Sequence, residues 1–522
     1  MLPYLSGLVS CLVLVIYLLG RYYVAARRPK NFPPGPPTLP FIGNLHQIPA
    51  SRAYLRWEEW RKECGSIIGL KLGSQNAIVL NSYKAVAELF DKRGGIYSSR
   101  PQSYVTDALV GFKDVHILLL PYGNTWRHQR KLLQGFLNVN AISAVLPIQT
   151  AEASHSLYQL LKEPQGWYDH IRRYSTAVIL ASVYGQRGKR FDSPRVQALY
   201  EVQDRWNEMI EPATAPPVED FPILKYLPEF ICTWKRKVRA IRHGQKSLYF
   251  ALLEETRQKV REGKTECFMA KLLAKQEEIQ MDDEHLAHLC GIFMEAGSDT
   301  TASVLLTFIL AMASHPEVLR KAQEELDSVC GPDRSPNWDD CKKLTYIPAV
   351  INEVLRWRPI SPSGVPHVLT QDDMYEGHLI PKGTVVFENI WAISRDESEY
   401  KDPDRLFPER FLGNRFGTQV ADDGNDDLRK PSYAFGGGRR VCPGQYLAQN
   451  SLLVNMAKIA WAFDIVPEKQ PVDVDIRTAF TEGMVTTPLN FPVGFKARSP
   501  THTAIVEKEF EAADSFLAKL ED

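Results

Sequence analysis

Residues 435–448 read Phe435-Gly436-Gly437-Gly438-Arg439-Arg440-Val441-Cys442-Pro443-Gly444-Gln445-Tyr446-Leu447-Ala448. Three consecutive glycines build a tight loop with exposed amides, and two arginines bring positive charge close to the cysteine. A helical run opens just past it, over residues 445–457. Amide donors, a helix N-terminus and a nearby guanidinium each stabilise a thiolate and lower a thiol pKa. Two chemistries fit such a sulfur. One is an activated nucleophile, which needs a base, and no histidine stands near Cys442 in the sequence. The other is an anionic ligand to a metal centre, iron above all.

A second anomaly lies upstream. The run Ala296-Gly297-Ser298-Asp299-Thr300-Thr301 interrupts an apolar helical pattern over residues 282–313. A mid-helix glycine costs roughly 1 kcal/mol against alanine. An acid on a buried helix is expensive unless it is paired. A broken local rule without a local gain marks a functional site. Glycine lets a flat ligand approach the backbone, and a threonine hydroxyl can bond either the i−4 carbonyl or a bound molecule. Asp299 can relay protons. The competing reading is a junction of two helices capped by Ser298 or Asp299.

Further out, the chain carries Glu353-Val354-Leu355-Arg356, Pro408-Glu409-Arg410-Phe411 and Trp126-Arg127-His128-Gln129-Arg130. These five segments resemble, in order, the signatures of the cytochrome P450 monooxygenases: FxxGxRxCxG, [AG]Gx[DE]T[TS], ExxR, PERF and WxxxR. The resemblance covers essentially the whole chain, and its closest style is that of fungal, secondary-metabolism members of the eukaryotic microsomal branch. It implies a mainly α fold with small β-sheets, binding haem b and using O2, with electrons from a separate NADPH-cytochrome P450 reductase and optionally cytochrome b5.

Roles follow from the resemblance, position by position. Cys442 would be the axial thiolate on the haem iron. Phe435 would pack beside the sulfur, and Gly438 and Gly444 would bring amides to it. Arg440, Trp126, Arg130 and His367 would hold the propionates. Thr300 and Asp299 would steady dioxygen and time proton delivery, with Ala296 and Gly297 lining the cavity. Glu353, Arg356 and Arg410 would form a structural network behind the cysteine loop. Phe293, Val365, Met484 and Val485 would face an apolar small-molecule substrate, although core packing explains each of them equally well. Two relatives of this chemistry stay in view: an isomerase or dehydratase of the same fold acting on a pre-oxygenated substrate, and a non-catalytic haem-binding membrane protein. The intact acid–threonine pair speaks against both.

The N-terminus carries the membrane signal. Residues 1–20 hold no charge, and residues 1–26 suffice to span ~30 Å of hydrocarbon. Tyr17, Tyr22 and Tyr23 sit at one end, followed by Arg21, Arg27, Arg28 and Lys30. This bias favours a cytoplasmic body. With the resemblance it implies a single-pass protein of the endoplasmic reticulum membrane. A proline-rich hinge follows within residues 27–45, read as a stiff extended spacer. Residues 46–500 read as one catalytic domain and 501–522 as a tail. Short strands are expected at residues 67–73, 77–80, 365–369, 378–380, 384–388, 460–466 and 481–489, and a surface loop at 418–430. The basic run Lys235, Arg236, Lys237 and Arg239 is compatible with an acidic partner, though a solvated helix face explains it too.

Composition limits the alternatives. The 522 residues carry 62 basic and 62 acidic side chains, so no global field draws in nucleic acid. Eight cysteines, none within four residues of another, give neither a CxxC site nor a disulfide scaffold. His285 and His288 lie three apart but lack a third ligand at fixed spacing, so they read as a capping segment.

Overall fold

A computed structural model describes residues 2–111, 114–210, 218–219, 222–264, 266–419 and 429–520. Helix α1 (Leu2–Ala25) is apolar, and its residues 8–25 are not buried in the body, as in a membrane-crossing helix. The segment after it is clamped rather than freely extended. Arg28 donates to the carbonyls of Gly35, Pro36 and Gly69, and the Gly69 amide donates to Pro34 O at 2.7 Å. Lys71 Nζ donates to Ala25 O at 2.7 Å. The prolines have no N–H to offer, so their carbonyls are what the body grips.

Helix α2 (Ala53–Cys64) precedes the hairpin β1 (Ile67–Leu72) and β2 (Gln75–Leu80). Gly73 and Ser74 form its two-residue turn, Gly73 at φ +60°. Strand β2 pairs in parallel with β6 (Val385–Glu388), and β6 pairs with the two-residue β3 (His367–Val368). This four-stranded sheet brings chain near residue 80 to chain near residue 388. Two-stranded sheets form from β4 (Asp373–Tyr375) with β5 (His378–Ile380), and from β7 (Phe463–Pro467) with β8 (Val493–Ala497).

The rest is helical: α3 (Asn124–Leu137), α4 (Leu146–Lys162), α5 (Trp167–Tyr184), α6 (Pro194–Ile210), α7 (Trp234–Arg261), α8 (Asp283–Ser314), α9 (Pro316–Val329), α10 (Tyr346–Trp357), α11 (Gln445–Ala462) and α12 (Pro500–Ala518). Asp282 caps α8, accepting from the His285 amide at 2.8 Å. Helix α8 is continuous through the polar notch, so no junction of two helices exists there. It is apolar enough to cross a membrane, which the sequence reading reserves for the N-terminus. Its burial beneath α5, α7 and α11 makes it the core helix instead. His285 serves the cap and His288 Nδ1 donates to Glu284 O, so neither is arranged as a metal ligand.

Two expected strands take another form. Residues 460–462 complete α11, where Trp461 is fully buried and donates to Gly331 O; the strand begins only at Phe463. An apolar run buried on every side carries no period to separate helix from strand. Residues 481–489 contribute a single bridge, Phe480 to Pro488, because Gly483 at φ +117° and the proline interrupt a ladder. The tail is itself a helix, α12, packed on α4 and tied by Glu509 to Lys458 and Ser335. Much of the expected 418–430 loop lies outside the described residues.

One buried charge network braces this end of the molecule. Arg356 binds Glu353 through two bonds of 2.8 Å and donates to the carbonyls of Ser394 and Pro403. Arg410 Nε lies 3.1 Å from the same carboxylate, and the Phe407 amide donates to it at 2.7 Å. Removing the shared carboxylate leaves two buried guanidiniums without a counter-charge, a loss of about 3–5 kcal/mol. Glu353→Ala is therefore expected to lower the unfolding temperature sharply or to abolish soluble protein. An unchanged melting curve by differential scanning calorimetry would contradict this account.

Candidate active site around Cys442 and the notched helix

The cysteine loop is built by backbone constraint. The Cys442 amide donates to Phe435 O at 2.9 Å and closes the loop on itself. Gly438 sits at φ +63°, and a Cβ there would lie 2.3 Å from Phe90 O, so only glycine fits. The Gly438 amide donates to Asp91 Oδ1 at 2.8 Å, which Lys430 also grips at 2.9 Å. Helix α11 then starts at Gln445, directly after Gly444.

The sulfur's electrostatics differ from the sequence reading. The Gly444 amide favours the thiolate as expected, and the guanidinium that does so is Arg130 rather than Arg439 or Arg440, but burial is the larger effect and pushes the Cys442 thiol upward. A metal that takes the proton's place would offset that cost.

Around this loop lies a cationic cluster in which Arg100 and His367 are buried and Arg130 and Arg440 half-buried. Arg440 donates from Nε to Ser98 O at 2.8 Å, from Nη1 to Ile117 O at 3.2 Å and from Nη2 to Leu120 O. Its guanidinium stacks 4.5 Å from the Trp126 ring. Arg130 donates to Val441 O at 2.5 Å. His367 stacks on Phe90 with centroids 4.1 Å apart, and its Nδ1 donates to Tyr97 O at 2.7 Å. Sequence reasoning missed one member, Arg100, which is 4% exposed and donates to the carbonyls of Leu118, Val365 and Pro366. Its only signal was Ser98-Ser99-Arg100-Pro101, a basic residue in an otherwise unremarkable stretch.

Among the described residues these side chains hold carbonyls but no carboxylate. Burial, then Arg440, pulls Arg100 far below its ordinary range, and burial, then Arg130, pulls Arg440 down to about 9. A guanidinium keeps its proton in a protein, so this pull is a desolvation cost awaiting an anion. The buried acid that acts on Arg100, Glu388, forms no ion pair with it, and burial pushes its carboxyl up to about 8. A buried ligand carrying two carboxylates beside a flat hydrophobic body, as haem does, fits this donor set and the cysteine loop together.

Helix α8 presents the notch. Ala296 is exposed in the middle of an otherwise buried helix, which places it at an internal space. Thr300 Oγ1 donates to Ala296 O at 2.5 Å, the i−4 bond. Burial pushes the Asp299 carboxyl up to about 6, with Arg172 opposing and Asp204 adding to the rise. Gly297 has a packing reason of its own: a Cβ there would meet Ile179 Cδ1 of α5 at 2.7 Å. Phe293 is likewise core, its ring 5.7 Å from Phe136 and 5.3 Å from Phe268. Val365, Met484 and Val485 are half-buried. The loop that carries the last two is tied to α8 by Thr487 Oγ1 and Ser303 Oγ at 2.6 Å, and to Ile360 O by the Thr486 amide.

Comparison with known proteins agrees with this geometry. The family profile described as Cytochrome P450 matches residues 33–495. Among curated relatives, a cytochrome P450 monooxygenase of Arthrobotrys oligospora is 37% identical over 504 residues, 94% of each chain. Cytochrome P450 monooxygenase yanC of Aspergillus niger is 34% identical over 531 residues, 98% of each chain. Cytochrome P450 monooxygenase patI of Penicillium expansum is 33% identical over 525 residues, all of this chain and 98% of that one. With a cysteine loop, a cationic seat and a notched core helix all in place, the chain belongs to the cytochrome P450 family, the haem-thiolate monooxygenases.

Proposed function

We propose that this protein is anchored by α1 in the endoplasmic reticulum membrane and oxidises an apolar small molecule, an intermediate of natural-product biosynthesis, with electrons from a separate NADPH-cytochrome P450 reductase. Cytochrome b5 is a second donor consistent with the family. The observation that carries the reading is the pairing of a half-buried cysteine loop with Arg100 and Arg440, for which the described residues supply no carboxylate partner. The half-buried Val365, Met484 and Val485 suit an apolar ligand.

Haem, held by Cys442 and by the seat of Arg100, Trp126, Arg130, His367 and Arg440, supplies O2 activation and oxygen insertion. The chain's own residues supply position and proton control. Asp91 and the Phe435–Cys442 backbone bond hold the sulfur in place. Thr300 can release its Ala296 bond and offer its hydroxyl to a ligand beside the helix. Asp299, one residue away, holds a proton below about pH 6 and passes it inward. Glu353, Arg356 and Arg410 keep the region behind the loop rigid. Retention of the acid–threonine pair favours oxygen activation over the isomerase or dehydratase reading.

Three measurements test this. The reduced CO complex of the membrane-bound protein should show the red-shifted Soret band of a thiolate-ligated haem, and Cys442→Ser should lose both that band and turnover; a full band in the serine variant would end the reading. Arg100→Met should speed haem loss to apomyoglobin by roughly 10–100-fold, the equivalent of about 1.5–3 kcal/mol for a charge-assisted bond; an unchanged rate would remove Arg100 from the seat.

The third concerns pH. An acid whose folded pKa is raised to about 6 keeps its proton where an ordinary aspartate has lost it, so delivery weakens as pH rises through 6. Product formed per NADPH should fall across that range. Asp299→Asn should flatten the profile and lower turnover by roughly 100-fold or more. An identical profile in the variant would exclude Asp299 from proton transfer.

A further inference from the structure

Strand β6 ends on a glutamate, Glu388, where its other residues, Val385, Val386 and Phe387, are all apolar. The side chain is 4% exposed. Among the described residues its carboxyl forms no hydrogen bond and no ion pair, and Oε1 is enclosed without a partner. A buried polar group left unbonded calls for a physical reason, because its desolvation is uncompensated.

The sheet register shows which way the carboxyl points. Val386 lies opposite His367 in the β3–β6 pair, so those two side chains share a face. Strand residues alternate, which puts Glu388 on that same face and Phe387 on the other. The apolar clusters agree: Val386 packs with Phe90, Tyr97 and Tyr433, whereas Phe387 packs with Tyr54 and Trp57. Two loops then meet over the acid. A Cβ at Gly364, which has φ +59°, would lie 3.3 Å from Glu388 Cβ and 3.8 Å from Oε2. A Cβ at Gly436, which has φ +74°, would lie 3.9 Å from the same oxygen. The first loop continues into Val365 and Pro366, whose carbonyls Arg100 takes. The second is the cysteine loop itself. Oε2 therefore lies where the cationic seat adjoins that loop.

The charged groups around Glu388 leave it neutral. Burial acts most strongly, Lys430 and Arg100 favour the carboxylate and Asp91 opposes it, and the outcome is a carboxyl raised to about 8. Lys430 is committed to Asp91 at 2.9 Å, and Arg100 to three carbonyls. His367 and Tyr433, the titratable neighbours on this face, are themselves kept uncharged by burial. A protonated carboxyl is a donor that adds no negative charge. A seat that receives an anionic ligand gains from such a donor, whereas an ionised acid would repel the ligand.

We propose that Glu388 donates its carboxyl proton in a hydrogen bond to a carboxylate of the bound haem, making it a cofactor-binding residue of the seat beside Arg100 and His367. The proposal rests on the haem reading for the identity of the ligand.

The test follows haem transfer to apomyoglobin from the haem-loaded parent, Glu388→Gln and Glu388→Leu. Glutamine keeps a donor that cannot ionise; leucine keeps the bulk and removes the donor. At neutral pH, Glu388→Leu should lose haem roughly tenfold faster than the parent, and Glu388→Gln should stay within about threefold of it. As pH rises through 8 and beyond, the parent acid gives up its proton, so its haem loss should accelerate roughly tenfold relative to Glu388→Gln. Infrared difference spectra, parent minus Glu388→Gln, should show at neutral pH the C=O stretch of a protonated carboxyl that shifts in D2O. A carboxylate signal in its place, parent-like haem loss from Glu388→Leu, or equally fast loss from both variants at neutral pH would overturn the proposal. If Glu388→Leu fails to fold, the infrared band and the parent-to-glutamine comparison decide. A parent without the red-shifted CO band defeats the haem-thiolate reading before any variant is compared. An intact parent band with parent-like loss from Glu388→Leu defeats this proposal alone.

Discussion

Burying positive charge without a protein counter-ion is expensive. Arg100 is buried and depressed by Arg440, and the half-buried Arg440 is depressed by Arg130; among the described residues both arginines bond only carbonyl oxygens, and burial pushes the carboxyl of Glu388, the acid that acts on Arg100, up to about 8. Beside them a thiol that must be anionic to bind metal is pushed the wrong way by the same burial. Each group is a poor choice alone. Together they describe the complement of a bound group with an electropositive centre and an anionic edge. The loop glycines, the Asp91 anchor and the turn at residues 116–120 serve to hold that costly arrangement in shape.

The Glu353 network makes the contrast clear. It too buries two arginines, but there the carboxylate is present, fully buried and bonded on both oxygens. Charge in that network is balanced by the polypeptide and braces the fold. Charge in the seat is left for a cofactor. Two clusters of similar composition thus separate by one physical criterion, whether the counter-ion is part of the chain.

Much of this was legible from residues alone. The cysteine loop, the notch and the ExxR and PERF segments break local rules, and broken rules are visible without coordinates. The hairpin near residue 73 followed from turn chemistry. What stayed hidden depended on long-range packing. Arg100 looks like any basic residue until its carbonyl partners, up to 266 positions away, are in view. Gly297 suggested an approach for a ligand, but its missing side chain accommodates Ile179. Phe293 shares a helix with the notch, yet turns into an aromatic core with Phe136 and Phe268. The strand expected over residues 460–466 lost three residues to a helix because uniform burial erases periodicity. The sulfur's pKa was read from its neighbours, and desolvation, which no sequence displays, proved larger.

The central claim is a bond between the sulfur of Cys442 and the iron of a bound haem. Iron K-edge extended X-ray absorption on the ferric, haem-loaded protein tests it most directly. The account predicts one sulfur scatterer in the first shell beside the four porphyrin nitrogens. A first shell of nitrogen and oxygen alone, in protein that is folded and haem-loaded, would contradict it.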